Sequence, residues 1–172
     1  PVMNKVYLPS SREAMAALLQ AHPDALFVAG STDLSLEYTQ QLKTLPTLIS
    51  TTRVKECREL KVDEQAVTVG AALPLSDIAP VLHEHFPQLH ELIDRFASLP
   101  IRNQATLGGN VANASPIGDM PPVLLALNAT VILDNGSDYR EVPAAKFFTG
   151  YRQTVLADKE WISAIRFNRM DE

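Results

Sequence analysis

KVYLPSSREAMAALLQAHPDALFVAGSTD, from Lys5 to Asp33, carries the reading of the fold. Lys5 to Leu8 have an extended pattern. Ser10 then opens a helix, with Glu13 completing a capping box and Met15, Leu18, Leu19 and His22 recurring on one face. Pro23 closes it, because a proline ring cannot continue the helical hydrogen bonding. Ala25 to Ala29 form a continuous short apolar run typical of a buried strand, which breaks into Gly30, Ser31, Thr32 and Asp33. Strand, helix, strand is the βαβ rhythm of an α/β or α+β lobe. Backbone N–H groups at such a strand-to-helix turn form an anion cradle with the helix dipole behind it. The chain contains neither Gly-x-Gly-x-x-Gly nor Gly-x-x-x-x-Gly-Lys-Ser/Thr, so the Rossmann fingerprint and the P-loop are both excluded. Taken by itself, the turn fits an ordinary capped loop better than a phosphate site.

Outward from this stretch, Thr47 to Ser50 read as another buried strand and Arg53 to Leu60 as a short charged helix. Arg53, Lys55, Arg58 and Lys61 are interleaved with Glu56, Glu59, Asp63 and Glu64, the pattern of a solvated face. Leu60 to Ala71 alternate around Asp63, Glu64 and Gln65, with Val67 and Val69 on one face, which predicts a hairpin. A lobe boundary is expected here, dividing the chain into residues 1–59 and 60–172. Pro74 to Phe86 and Pro87 to Leu99 read as two helices, each opened by a proline where a missing N–H costs least. The tail predicts strands at Thr130 to Leu133, Tyr139 to Val142 and Trp161 to Phe167, with turns at Asn135-Gly136 and Thr149-Gly150.

The chain of 172 residues, 46% of them apolar, suits one compact domain or two small lobes sharing a cleft. Its net charge of −5 argues against nucleic acid as a partner, since a phosphate backbone needs a basic face. Cys57 is the single cysteine, which excludes an internal disulfide, a thiolate-ligated zinc site and a four-cysteine iron–sulfur cluster. A reducing, cytoplasmic setting is expected. No run approaches the length of a membrane span, and Pro1 to Ser10 lack the pattern of a signal peptide.

Ala105 to Pro122 sets two adjacent glycines, two asparagines, a serine and an aspartate among small apolar residues. Such a segment lets backbone approach a ligand while amides and hydroxyls point at it. The same composition fits a loop whose glycines satisfy positive φ and whose asparagines cap turns. His83, His85 and His90 with Glu84 and Glu91 depart from His-Glu-x-x-His spacing and are interrupted by Pro87. They read as surface histidines, and no metal site is expected. Phe96 falls at helical spacing with Leu89, Leu92 and Ile93, the pattern of a core face. Trp161 reads as packing, Asp119 as a helix cap before Pro121 and Pro122, and Cys57 as structural.

Two phosphate-friendly glycine turns, separated by a helix bearing an aromatic residue, point to an extended dinucleotide in a cleft. Gly30-Ser31-Thr32-Asp33-Leu34, Ala105-Thr106-x-Gly108-Gly109-Asn110 and Ser115-Pro116-x-x-Asp119-x-x-Pro122, in this order, resemble the FAD-binding domain of the molybdenum hydroxylases, the xanthine dehydrogenase family. Phe147-Phe148-x-Gly150-Tyr151-Arg152 fits the same family. The resemblance runs from about Lys5 to Asn168 and implies an α+β fold of the two-lobed, PCMH-like kind, with a small parallel βαβ lobe and a larger, mostly antiparallel one.

The resemblance also implies site roles. Phe27, Val28, Ala29, Gly30, Ser31, Thr32, Asp33 and Leu34 match the segment that wraps the FAD pyrophosphate. Phe96 matches an aromatic beside the adenine. Thr106, Gly109 and Asn110 match the lining of the cofactor channel. Asp119 matches an aspartate that hydrogen-bonds the cofactor, and Ile162 an apolar residue near the flavin ring. Tyr151 and Arg152 match family positions with no role assigned. Ser31 replaces a glycine often seen in relatives, and Thr106 stands where serine also occurs; both changes keep the backbone or the hydroxyl. The family normally continues into a small C-terminal domain, absent here, and one FAD contact in relatives lies beyond Glu172.

What the resemblance implies about function is electron transfer. In relatives a molybdopterin domain oxidises a purine, iron–sulfur domains relay the electrons, and the FAD passes them to NAD or oxygen. The chain is then an FAD-dependent oxidoreductase component of purine metabolism, with no catalytic residue of its own and no membrane or nucleic-acid partner. A carbon monoxide dehydrogenase or hydroxybenzoyl-CoA reductase flavoprotein is the close alternative. A flavin-free docking domain of such a complex is the alternative from another class.

Overall fold

The computed structural model describes residues 6–28, 47–91, 94, 124–150 and 153–169. Its first part is a three-stranded parallel sheet built from β1 (Val6–Tyr7), β2 (Leu26–Val28) and β3 (Leu48–Ser50), in the order β1-β3-β2. Helix α1 (Arg12–Ala21) crosses from β1 to β2. Its cap is Ser11, whose Oγ accepts the Ala14 N–H at 3.1 Å. This corrects the Ser10–Glu13 capping box by one residue: Glu13 falls in the first turn, where its charge complements the helix dipole without closing a box. Met15 and Leu19, four residues apart, carry the buried stripe. His22 caps the end, donating its N–H to Leu18 O at 2.9 Å.

Between the sheets the expected helix from Arg53 to Leu60 is reduced to one 3-10 turn, Lys55–Arg58. Strand pairing wins over helical propensity here, because Leu60 is drawn out to face Val69 and the Gly70 N–H donates to Glu59 O at 2.7 Å. The hairpin of β4 (Leu60–Val62) and β5 (Ala66–Gly70) forms as expected. Asp63 Oδ1 pins its turn by accepting the N–H groups of Gln65 and Ala66, which hold the carboxyl below the ordinary range.

Helix α2 (Leu75–His85) starts behind Pro74 and buries Ile78, Ala79 and Leu82, with Phe86 closing it. The second expected helix begins as a 3-10 turn at Pro87–Leu89, and His90, Glu91 and Asp94 continue in α conformation.

The larger sheet has the order β4, β5, β10 (Trp161–Asn168), β6 (Thr130–Asp134) and β7 (Tyr139–Pro143), antiparallel throughout. Strands β6 (Thr130–Asp134) and β7 (Tyr139–Pro143) turn at Asn135-Gly136, where Gly136 takes φ +92°, a conformation glycine adopts without penalty. The central strand β10 (Trp161–Asn168) is buried along most of its length and bulges between Ile162 and Ala164. A short helix α3 (Ala144–Phe147) leads into the small hairpin of β8 (Phe148–Gly150) and β9 (Gln153–Thr154). Thr149 and Gly150 therefore lie in a strand, which corrects the turn expected there. The glycine ends β8 opposite Gln153, and residues 151–152 lie outside the described residues.

Two apolar clusters make the core. The larger joins Val67, Val69, Leu82, Phe86, Val131, Leu133, Ile165 and Phe167 under the antiparallel sheet. The smaller gathers Met15, Leu19, Ile49, Val54, Cys57, Ala72 and Trp161, so residues of the parallel part pack directly against β10. Arg12 on α1 reinforces this junction by pairing with Asp134 at the end of β6.

Candidate functional site

Parallel strands run their carboxyl ends out on one side, and ligands of α/β sheets characteristically lie across those ends. Here β2 and β3 are in register, Phe27 opposite Ile49 and Val28 opposite Ser50. Both strands thus finish side by side, and β2 leads directly toward Gly30. Phe27 and Val28 are placed on β2 as backbone. Ala29, Gly30, Ser31, Thr32, Asp33, Leu34, Phe96, Thr106, Gly109, Asn110 and Asp119 lie outside the described residues, as do Tyr151 and Arg152.

Three hydroxyl residues that sequence reasoning passed over occupy the neighbouring strand end. Ser50 closes β3 and is followed by Thr51 and Thr52. Ser50 Oγ and Thr52 Oγ1 are 2.6 Å apart, and the Thr52 N–H donates to Ser50 Oγ at 3.2 Å. Thr51 is buried, and its Oγ1 has no partner among the described residues. A buried hydroxyl left unpaired costs about 1–3 kcal/mol, so a polar ligand at this end has an acceptor and donor waiting for it. The residues present therefore fit a phosphate-bearing cofactor across the ends of β2 and β3. The legible signal was the run Ser50-Thr51-Thr52 directly after a buried strand.

Ile162 sits on the other sheet, in β10 opposite Leu133 and beside the bulge, buried in the larger cluster. Its neighbour Trp161 belongs to the smaller cluster, so this one strand reaches both parts of the molecule. The O of Ser163, the residue inside the bulge, accepts the Ala71 N–H at 2.9 Å. Ile162 is accordingly held on rigid backbone, suited to an apolar wall and without an ionisable group.

Cys57 is fully buried in the junction. Burial, with the nearby negative charge of Asp134, pushes its thiol up to about 12. A thiol held protonated at neutral pH is not a nucleophile, in agreement with a structural role.

Comparison with known proteins agrees with this geometry. Residues 2–168 match the family described as the FAD binding domain in molybdopterin dehydrogenase. Xanthine dehydrogenase of Drosophila subobscura is 34% identical over 95% of this chain, and the chain spans 13% of that enzyme's length. The fold superposes on a chain of carbon monoxide dehydrogenase from Hydrogenophaga pseudoflava with a TM-score of 0.88 and 29% identity, covering 99% of this chain and 61% of that one. Quinoline 2-oxidoreductase from Pseudomonas putida 86 gives a TM-score of 0.88 at 25% identity, covering 98% of this chain and 60% of that one. An α+β fold with a parallel βαβ sheet, an antiparallel sheet and hydroxyl-rich strand ends thus agrees with a match over almost the whole sequence, and the chain belongs to the family of FAD-binding domains of molybdopterin dehydrogenases.

Proposed function

We propose that the chain is the flavin-holding, electron-transferring part of a xanthine dehydrogenase-like molybdenum hydroxylase, taking electrons from iron–sulfur clusters and delivering them to NAD or oxygen. The observation that carries this reading is the pairing of the β2 and β3 ends, with the Thr51 hydroxyl beside them unpartnered among the described residues, in a chain of an FAD-binding family. When bound, FAD supplies the electron chemistry, since a flavin accepts electrons singly and donates them as a pair. The residues of the chain bind and orient it.

In this reading residues 1–59 form a lobe that grips the pyrophosphate through Phe27 to Leu34. Residues 60–172 form the lobe that supplies Phe96 at the adenine, Thr106, Gly109, Asn110 and Asp119 along the cofactor, and Ile162 at the ring. The iron–sulfur and molybdopterin domains or subunits are its partners, and the setting is cytoplasmic. Identity of 34% to a xanthine dehydrogenase supports the purine enzyme. The carbon monoxide dehydrogenase alternative is favoured by the 0.88 superposition, which is matched by quinoline 2-oxidoreductase and so reflects the fold they share.

The test is the visible spectrum of the chain, extended to its natural C-terminus, after incubation with FAD and desalting. Flavin absorption should travel with the protein and be lost in Gly109→Val. A colourless unmutated protein would overturn the cofactor reading. In the assembled complex NADH should bleach the flavin directly, and purine only when the molybdenum partner is present.

A further inference from the structure

We propose that His83, His90 and Asp94 form a binding site for a divalent transition metal of the zinc class. His83 lies in the last turn of α2, and Pro87 breaks the helix four residues later. That break folds the following turn back, so that the His83 and His90 rings meet edge-on with centroids 3.6 Å apart. Asp94, one helical turn beyond His90, closes the group. His83 Nε2 lies 2.8 Å from Asp94 Oδ1, and His90 Nε2 lies 3.4 Å from Asp94 Oδ2. One ligand atom from each residue falls within 4.8 Å of the other two.

On a tetrahedral zinc ion with bonds of about 2.0–2.2 Å, neighbouring donor atoms stand about 3.3–3.6 Å apart. The 2.8 and 3.4 Å separations from Asp94 lie close to that spacing. Two imidazoles and a carboxylate are also the donor set this metal class prefers. All three side chains are at least partly exposed, which gives the ion an entry path and leaves a fourth position for water. His85 is not a member of the group: its Nδ1 faces the Arg169 guanidinium.

The sequence pattern conceals this site. His83 and His90 are seven residues apart across a proline, and metal spacing rules that assume one uninterrupted helix pass over them.

The test is isothermal titration of the untagged chain with zinc chloride, and separately with nickel chloride. One equivalent should bind saturably. His83→Ala, His90→Ala and Asp94→Asn should each weaken binding at least tenfold, whereas His85→Ala should leave it unchanged. Circular dichroism of each variant checks that it folds, and zinc should raise the melting temperature of the unmutated chain but not of the His83→Ala/His90→Ala double variant. Binding that does not saturate near one equivalent, or an affinity the same in the double variant as in the unmutated chain, would overturn the proposal.

Discussion

The guanidinium of Arg12 grips the carboxylate of Asp134 with two parallel hydrogen bonds, Nε to Oδ2 at 2.7 Å and Nη2 to Oδ1 at 2.8 Å, across 122 residues of sequence. The Asp134 side chain is fully enclosed, and it also accepts the Gly136 N–H at 2.8 Å. Tyr139 lies under the same guanidinium, 4.3 Å from ring centroid to Arg12 Cζ. The hydrogen bonds to Asp134 raise the Arg12 pKa above its ordinary value, so the guanidinium keeps its charge.

Removing one partner leaves the other charge buried and alone. Arg12→Ala should therefore destabilise the fold by about 3–5 kcal/mol, read as a shift of the urea midpoint at constant slope. Arg12→Lys should recover little, because a point charge cannot reproduce the fork. Arg166→Ala, which breaks a comparably short but more exposed pair with Glu141, should cost less than about 1 kcal/mol. Equal losses in the two cases would show that enclosure does not govern the Arg12 pair.

Gly136 offers a test of backbone and packing together. A Cβ there would lie 2.5 Å from Ala16 Cβ, and φ +92° disfavours any L side chain. Gly136→Ala should cost about 1–3 kcal/mol. Adding Ala16→Gly should return the part due to the clash and leave the part due to φ. A double variant no more stable than the single one would remove the contact with α1 from the account.

Trp161, the single tryptophan, is buried against the parallel part, and its Nε1 has no partner among the described residues. Its emission should be blue-shifted in the folded chain and move to the red on unfolding. Trp161→Ala should cost about 3–5 kcal/mol. Trp161→Phe should cost markedly less, since it keeps the ring and removes an unsatisfied donor.

Glu160 sets an acid limit. Burial pushes its pKa up, but hydrogen bonds from Arg140 and from the Ala157 N–H outweigh that and hold it below its ordinary 4.5. A depressed folded pKa means stability that is complete above the unfolded value and lost as pH falls through the folded one. Melting temperature should therefore drop as pH is lowered below about 4.5, and less steeply in Glu160→Gln. Identical pH profiles for the two proteins would exclude this carboxylate.

Cys57 should resist a thiol reagent at pH 8 in the folded chain and react at once in denaturant, because its thiol is enclosed and held protonated. Rapid modification without denaturant would mean that the junction opens readily.

Local pattern made much of this legible. The Val67 and Val69 alternation and the length of β10 both reflect burial that depends on near neighbours in sequence. Readings failed where strand pairing overrode local pattern. Leu60 left a helical pattern to pair with Val69, and Gly150 extended a strand because Gln153 stood opposite. Ser11 rather than Ser10 took the cap, a one-residue choice that composition does not resolve. The glycine motifs announced the cofactor family, yet the hydroxyls after β3 gained meaning only once β3 was seen beside β2.

The place of β10 in the larger sheet governs when that sheet can exist. During synthesis the β4–β5 and β6–β7 hairpins leave the ribosome first, each with an edge meant for the same later strand. Until Trp161 to Asn168 emerge, two sticky borders wait unmatched in the cell, and the nascent chain is most open to aggregation or chaperone capture in that interval.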